Sequence, residues 1–192
     1  MKKVFIVHGW GGIQEGGWFP WLKKELEAKG FAVFIPQLPD AENPRIEKWV
    51  PVLASVVGDP DEECYFVGHS MGCQTIARYL ESLKDGVKVG GVVFVAGFFK
   101  RLTNLEEDDA VKETARLWLE APIDLQKVKS HILNSVAIFS DNDTYVPLDN
   151  QDDFRDRLDS EIVIEHDLGH FSGSNGVAEL PIVLTKIIEF AK

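Results

Sequence analysis

Short apolar runs alternate with longer amphipathic stretches along the whole chain. The apolar runs are rich in β-branched residues and predict six strands, over residues 4–7, 32–35, 64–67, 92–95, 136–139 and 162–164. The amphipathic stretches predict helices over residues 18–29, 47–57, 71–83, a segment ending at 120, 148–158 and 178–190. Strands that are apolar on both faces are typical of a parallel sheet covered by helices. The pattern therefore predicts a doubly wound α/β fold, with reactive groups in the loops at the carboxyl ends of the strands.

Composition and charge narrow the class of protein. The chain has 192 residues, of which 45% are hydrophobic and 27% charged, and this favours one globular domain over residues 1–192. A formal charge of −11 repels phosphate backbones and argues against a nucleic-acid partner. The two cysteines, Cys64 and Cys73, fit neither a disulfide framework nor a zinc site, and no apolar run is long enough to span a bilayer. We therefore expect a cytoplasmic protein with no membrane partner.

The third predicted strand runs directly into the sequence Gly-His-Ser-Met-Gly, residues 68–72, which matches the G-x-S-x-G pattern. Because the next predicted helix opens at once, the chain must turn sharply at Ser70, and Gly68 and Gly72 leave room for that turn. The turn exposes the serine oxygen at the head of a helix, where developing negative charge is favoured. Ser70 is thus the candidate nucleophile, and a plain helix N-cap is the structural alternative.

A serine nucleophile needs a base held by an acid, and in this type of hydrolase the chain order is serine, acid, histidine. The loop after the fifth strand offers Asp141 and Asp143, and the loop after the sixth offers His166 and His170. We favour Asp143, since the acid must lean towards the neighbouring loop, with Asp141 as the alternative. We favour His170 over His166 because Gly169 allows the chain to turn back over the edge of the sheet.

The loop after the first strand, His-Gly-Trp-Gly-Gly, is the candidate second half of an oxyanion hole. It lacks the third glycine of a dinucleotide fingerprint and the Lys of a P-loop. We expect the N–H of Met71 to be one oxyanion donor and that of Trp10 the other, with Gly11 as the fallback. His8 in this loop is expected to be structural, and His131, which lies before the fifth strand, is expected at the surface or at a helix cap.

The segment of residues 97–130 is the one long insertion and is expected to form a small rim over the nucleophile. Aromatic side chains from this rim and from the loop after the first strand are candidates for an apolar acyl pocket. The candidate pocket residues are Trp10, Trp18, Phe98, Phe99 and Trp118, together with His69 from the turn at residues 68–72, which we call the elbow. The acidic run over residues 106–109 is expected to mark a solvated helix start.

Together these segments resemble a known family. Residues 4–10, 18–22, 68–72, 143–147 and 169–171 are similar to the YdeN-like small serine hydrolases of the α/β-hydrolase superfamily, a family also named for a retinoblastoma-binding member. The resemblance implies a shortened α/β-hydrolase fold with strand order 2-1-3-4-5-6 and a minimal lid. It also implies a triad of Ser70, Asp143 and His170, although Thr144 follows the acid where members often have proline. The L-x-C-x-E signature of retinoblastoma binding is absent from the sequence, so that partner is not implied.

The sequence thus predicts a serine hydrolase that cleaves small carboxylic esters through an acyl-Ser70 intermediate. No metal and no cofactor are required by this chemistry, and the predicted partner is a small ester or amide substrate. Two alternatives remain at this point: an amidase or aminopeptidase using the same triad, and a non-catalytic protein-binding module that keeps the fold.

Overall fold

A computed structural model of the chain describes residues 1–105 and 107–192. Within these ranges six strands form one parallel sheet in the order β2-β1-β3-β4-β5-β6. The strands are β1 (Lys3–Val7), β2 (Ala32–Phe34), β3 (Cys64–His69), β4 (Gly91–Val95), β5 (Ser135–Ser140) and β6 (Glu161–Glu165). The predicted fold class, including the strand order that the resemblance implies, is confirmed.

Helices cover both faces of this sheet, so successive strand residues enter two separate cores. In β1, Val4 and Ile6 pack on the side of α1 (Phe19–Glu27) and α7 (Pro181–Phe190). Phe5 and Val7 pack on the other side, against the remaining helices. These are α2 (Ile46–Val57), α3 (Met71–Glu81), α4 (Asp109–Glu120), α5 (Leu125–Ser130) and α6 (Gln151–Leu158). Burial of both faces explains why the strands read as continuous apolar runs.

Several boundaries differ from the sequence prediction. The predicted helix over 148–158 is a 3-10 turn, Leu148–Asn150, followed by α6, and the predicted helix over 178–190 begins only at Pro181. Backbone N–H groups in the first helical turn have no acceptor within the helix. Proline is favoured there because it has no N–H to leave unpaired. The short helix α5 was not predicted, because six residues give too little periodicity to detect.

The segment between β4 and β5 is anchored to the body of the protein. Asp108 caps α4 by accepting hydrogen bonds from the N–H groups of Ala110 and Val111, at 2.8 and 3.2 Å. The predicted helix start in the acidic run is therefore present from Asp108 onward, while Glu106 lies outside the described residues. At the other end, the buried guanidinium of Arg78 donates to three carbonyl groups, those of Trp118, Ala121 and Pro122. This tie fixes the rim segment against α3.

Across residues 1–105 and 107–192, no helix has both the length and the apolarity needed to cross a bilayer.

Candidate active site

The turn between β3 and α3 holds Ser70 in an unusual backbone conformation, with φ 52° and ψ −119°. Three glycines make this conformation sterically accessible. A Cβ at Gly72 would lie 2.2 Å from the Val7 carbonyl oxygen, and one at Gly68 would lie 2.8 Å from the Cys73 nitrogen. A Cβ at Gly9 would lie 2.9 Å from the Cβ of Ser70. The loop after β1 is thus packed directly against the serine, and larger side chains at these positions would separate them.

The Ser70 side chain does not cap α3, which excludes the structural alternative. Its Oγ lies 2.9 Å from Nε2 of His170, and Nδ1 of the same ring lies 2.8 Å from Oδ2 of Asp143. A carboxylate can only accept, so Nδ1 carries the ring hydrogen and Nε2 is free to accept the serine hydroxyl proton. The Asp143 and His170 side chains are 2% and 16% exposed, so this relay is shielded from solvent.

The two candidate acids occupy different environments. Asp143 Oδ1 accepts the backbone N–H groups of Tyr145 and Val146 at 2.8 and 3.0 Å, which fixes the carboxylate while Oδ2 meets His170. Asp141 instead contacts Nδ1 of His166 at 2.5 Å in an exposed pair. This hydrogen bond lowers the pKa of Asp141 and raises that of His166. The structure therefore brings Asp143 and His170 to Ser70 and places Asp141 with His166 outside that group.

Side chains from other elements hold the loop that carries His170. Backbone N–H groups of four successive residues each donate to a different side chain, with donor–acceptor distances from 2.7 to 3.1 Å. The pairs are Asp167 with Asp141, Leu168 with Ser140, Gly169 with Asn142, and His170 with Asn175. The loop is therefore positioned by the β5 loop on one side and by the following 3-10 turn, Gly173–Asn175, on the other.

His69 completes this support from the elbow itself. Its Nε2 lies 2.8 Å from the His170 carbonyl oxygen, so Nε2–H is the donor, and the two rings are 4.9 Å apart between centroids. Burial, reinforced by the neighbouring His170, lowers the pKa of His69 to about 3. His69 is therefore neutral near pH 7, and it both lines the cavity and supports the loop. Trp18 holds the next residue by donating from Nε1 to the Phe171 carbonyl at 3.0 Å.

Within the loop after β1, the hydrogen bonds distinguish the expected oxyanion donor, Trp10, from its fallback, Gly11. The N–H of Gly11 already donates to the Ala41 carbonyl at 2.8 Å. The N–H of Trp10 has no acceptor among the residues that the structure describes. Met71 is the first residue of α3, where backbone N–H groups have no intrahelical acceptor. Trp10 and Met71 are thus the free donors, and Gly11 is not.

The remaining histidines are structural. His8 is buried, and its Nε2 accepts the Leu38 N–H at 3.0 Å while Nδ1–H donates to the Gly9 carbonyl. Burial lowers the pKa of His8 and keeps the ring neutral. His131 follows α5 at its cap position, but the expectation of a surface position is wrong: the ring is fully buried and its Nδ1 lies 2.8 Å from the Val87 carbonyl. Cys73 is fully buried, as expected for a core residue.

A cavity of about 520 Å³ opens beside Ser70 and His170. Its walls are largely apolar and aromatic. The side chains include Trp10, Ile13, Trp18, Phe19, Leu102, Leu105, Val111, Tyr145 and Phe171, with Glu42 and His69 as polar members. Trp10, Trp18 and His69 therefore lie where the sequence places them.

Three predicted pocket residues are not in this wall. Phe98 and Trp118 are each 1% exposed in the core, and Trp118 donates from Nε1 to the Pro44 carbonyl. Phe99 packs against Phe154, with ring centroids 4.9 Å apart and the ring planes tilted by 36°. The aromatic character of a residue does not indicate whether its side chain points into the cavity or into the core, and these three pack in the core. The rim contributes Leu102, Leu105 and Val111 instead, which are aliphatic and carry no signal in the sequence that separates pocket from core.

No group of three or more His, Cys, Asp or Glu side chains in the described ranges is arranged to hold a metal ion.

The sheet order and the strand–serine–helix turn define the class of protein: it is an α/β-hydrolase. Residues 4–189 match the family model described as Serine hydrolase, and the chain belongs to this family.

Individual relatives agree with this assignment. The protein YdeN of Bacillus subtilis is 34% identical over 182 residues, covering 95% of this chain and 92% of its own. Its crystal structure superposes with a TM-score of 0.90 over 99% of this chain and 98% of that chain, at 31% identity. The serine hydrolase RBBP9 of Rattus norvegicus is 27% identical over 175 residues, covering 90% of this chain and 88% of its own. Est1E from Butyrivibrio proteoclasticus shares the fold, with a TM-score of 0.73 at 15% identity over 100% of this chain and 89% of that chain.

Proposed function

We propose that this protein hydrolyses small carboxylic esters through an acyl-serine intermediate, with Ser70 as nucleophile, His170 as base and Asp143 as acid. The observation that supports this most directly is the continuous relay from Asp143 through His170 to Ser70, with contacts of 2.8 and 2.9 Å. Nucleophile, base and orienting acid within hydrogen-bond distance of each other are what activation of a serine requires.

The first half of the reaction forms the acyl-enzyme. Ser70 Oγ attacks the ester carbonyl carbon while His170 Nε2 takes the hydroxyl proton. The carbonyl oxygen becomes an oxyanion, which the N–H groups of Trp10 and Met71 stabilise. Asp143 keeps the imidazole in its Nδ1–H tautomer and stabilises the imidazolium. Collapse of the intermediate breaks the bond to the alcohol oxygen, which leaves with the proton from His170.

The second half repeats these steps with water. His170 takes a proton from a water molecule, whose oxygen attacks the acyl carbon. The second tetrahedral intermediate releases the carboxylic acid, and the proton on His170 returns to Ser70. Removal of one oxyanion donor raises the barrier by about 3 kcal/mol in comparable enzymes.

The cavity favours small substrates. Its volume of about 520 Å³ holds a compact acyl group and leaving group, and its walls are mostly apolar with few polar side chains. We therefore propose that short acyl esters are better substrates than long-chain lipids or peptides.

Steady-state turnover of matched substrates tests this proposal. We expect p-nitrophenyl acetate and butyrate to be hydrolysed, the decanoate to be poorer, and the matching p-nitroanilides to be much slower. Ser70→Ala and His170→Ala are each expected to lower kcat/KM by about 10⁴-fold or more. Ser55→Ala, an exposed serine of α2, is the matched control and is expected to keep full activity.

Two results would contradict the proposal. Faster cleavage of the anilides than of the esters would favour the amidase or aminopeptidase alternative. Equal residual turnover in the wild type and Ser70→Ala would leave no role for the serine.

A further inference from the structure

The wall of the cavity beside Ser70 includes one acidic side chain. Among the described residues that line it, Glu42 is the one Asp, Glu, Lys or Arg. Glu42 lies in the segment between β2 and α2, which reaches over to the loop after β1. A single uncompensated carboxylate in a mostly apolar cavity sets the sign of the local electrostatic field.

Two hydrogen bonds and one close approach hold Glu42 in place. The N–H of Gly11 donates to the Ala41 carbonyl at 2.8 Å, and Nε1–H of Trp10 donates to the Glu42 carbonyl at 2.9 Å. A Cβ at Gly11 would lie 3.5 and 3.6 Å from the two carboxylate oxygens. The Glu42 carboxylate therefore rests against the same loop that provides the Trp10 oxyanion donor.

The carboxylate has no partner of its own within residues 1–105 and 107–192. Neither of its oxygens accepts a hydrogen bond or pairs with a cation there. Other exposed acids, such as Glu47, also have no partner there, but they do not line the cavity. Glu42 is thus the unpaired carboxylate that a ligand in the cavity would meet.

One aromatic side chain, that of Trp10, lies next to Glu42, and others line the same cavity. The Trp10 indole is fixed beside Glu42 by its own hydrogen bond, and Tyr145 lines the same cavity. Aromatic faces attract ammonium groups through their quadrupole, most strongly at tryptophan. A carboxylate next to such faces is the chemistry that recognises an organic cation.

We propose that Glu42 is a specificity-determining residue that favours ester substrates carrying a positively charged ammonium group over their neutral isosteres. This inference rests on the proposed esterase function. A Cβ at Gly9 would lie 2.9 Å from the Cβ of Ser70, whereas a Cβ at Gly11, two residues further along the loop, would lie 3.5 Å from a carboxylate oxygen of Glu42. The cation is therefore separated by several bonds from the ester carbonyl on Ser70.

Two pairs of matched esters test this inference, because the cation can lie on either side of the scissile bond. In the first pair the acyl group is a trimethylammonio-butanoyl chain or its isostere, in which carbon replaces the nitrogen, and p-nitrophenol is the leaving group. The second pair consists of two acetyl esters. One is the ester of choline, which is cationic, and the other is the ester of dimethylbutanol, the neutral carbon isostere of choline. The quantity measured is the ratio of kcat/KM for the cationic ester to that for its neutral partner.

For the wild type we expect this ratio to exceed one in at least one pair, and Glu42→Gln to lower it about fivefold. Glu47→Gln removes the same charge from an exposed acid that does not line the cavity, and it is expected to keep the wild-type ratio. High salt is expected to lower the wild-type ratio as well, because an exposed carboxylate is screened.

The inference is overturned if Glu42→Gln keeps the wild-type ratio in both pairs, or if Glu47→Gln lowers the ratio equally, which would assign the effect to the net charge. Failure of the underlying function has a different signature, since the wild type would then hydrolyse neither the neutral nor the cationic esters.

Discussion

At the residue scale, two Asp–His pairs lie side by side at the carboxyl ends of β5 and β6. The inner pair, Asp143 with His170, is shielded and continues to Ser70. The outer pair, Asp141 with His166, is exposed. Asp143 lies two residues further along the loop than Asp141. Two backbone N–H groups fix its carboxylate, so that its second oxygen meets His170.

Amide substitution of the two acids tests this difference. Asp143→Asn removes the carboxylate that orients His170, and we expect kcat on p-nitrophenyl acetate to fall about 10⁴-fold. Asp141→Asn removes the charge from the exposed pair but leaves an amide oxygen that can still accept the Asp167 N–H, so it is expected to cost less than about tenfold. A larger loss in Asp141→Asn than in Asp143→Asn would reverse the assignment.

Burial of His69 links the site to acid stability. The pKa of this ring is about 3 in the folded protein and 6.5 when unperturbed, so below pH 6.5 the unfolded chain binds a proton that the folded chain does not. Folding stability must therefore fall as the pH drops from 6.5 towards 3.

Replacement of this histidine tests that sign. His69→Gln keeps a neutral donor for the His170 carbonyl but cannot titrate. Between pH 6.5 and 4, we expect the free energy of unfolding of this variant, measured in urea, to decline less steeply than that of the wild type. The two slopes are expected to differ by up to about 1.4 kcal/mol per pH unit. Parallel declines in the two proteins would show that His69 binds a proton equally in both states.

The functional residues that could be predicted from the sequence are those whose neighbouring residues in the chain indicate a role. Ser70 lies within a glycine-bounded motif and His170 follows a turn glycine, and their positions after predicted strands, in the chain order serine, acid, histidine, singled them out. Glu42, Leu102 and Val111 enter the cavity only through tertiary packing, and nothing in their local sequence indicates it. Phe98, Phe99 and Trp118 show the converse, since large aromatic side chains fill a core as readily as a pocket.

At the element scale, the site depends on how closely the loop after β1 approaches the start of α3. Gly72 is in the first turn of α3, and its Cα faces the Val7 and His8 carbonyl groups. This approach brings the loop that carries Trp10 against the start of α3, where Met71 lies. The proposed oxyanion hole therefore depends on two elements in contact rather than on either loop alone.

Adding one methyl group at this contact is expected to be destabilising. In an ordinary helix Gly→Ala stabilises by about 1 kcal/mol. Gly72→Ala would place Cβ 2.2 Å from the Val7 oxygen, so we expect a loss of about 3 kcal/mol or more in thermal or urea unfolding.

Gly86→Ala is the control for that measurement. A Cβ there meets no atom within 4 Å, and only the positive φ of 85° opposes it, at a cost of about 1 kcal/mol. Gly72→Ala as stable as Gly86→Ala would mean that the two elements are further apart than described.

The strands could be predicted from sequence because each is a short run rich in apolar residues, and β1, β3, β4 and β5 are almost wholly buried. Their order is not contained in the hydrophobic pattern, and here it came from the family resemblance. The short helix α5 and the 3-10 turn before α6 were missed, since elements of one or two turns are decided by packing rather than by periodicity.

At the scale of the whole molecule, the net charge of −11 acts on any charged substrate that approaches the cavity. Its sign agrees with that of Glu42 at the cavity wall. Anionic esters should therefore be disfavoured over neutral ones by the long-range field as well as by the local carboxylate.

Varying the ionic strength measures this long-range electrostatic contribution to kcat/KM. Between 0.01 and 0.15 M salt the screening length falls from about 30 to about 8 Å. We expect kcat/KM for the p-nitrophenyl ester of a dicarboxylic acid to rise about threefold or more over that range, and for the acetate to stay constant. An anionic ester with no salt dependence would show that the field does not reach the site.

The central claim is that Ser70 is made nucleophilic by His170, and covalent labelling tests it without any assumption about substrate. A fluorophosphonate reacts with an activated serine, and mass spectrometry of peptides from the labelled protein locates the adduct. We predict one adduct, on the peptide that contains Ser70, absent in Ser70→Ala and formed at least about a hundredfold more slowly in His170→Ala. An unlabelled wild-type protein, or an adduct on a different serine that persists in Ser70→Ala, would contradict the account.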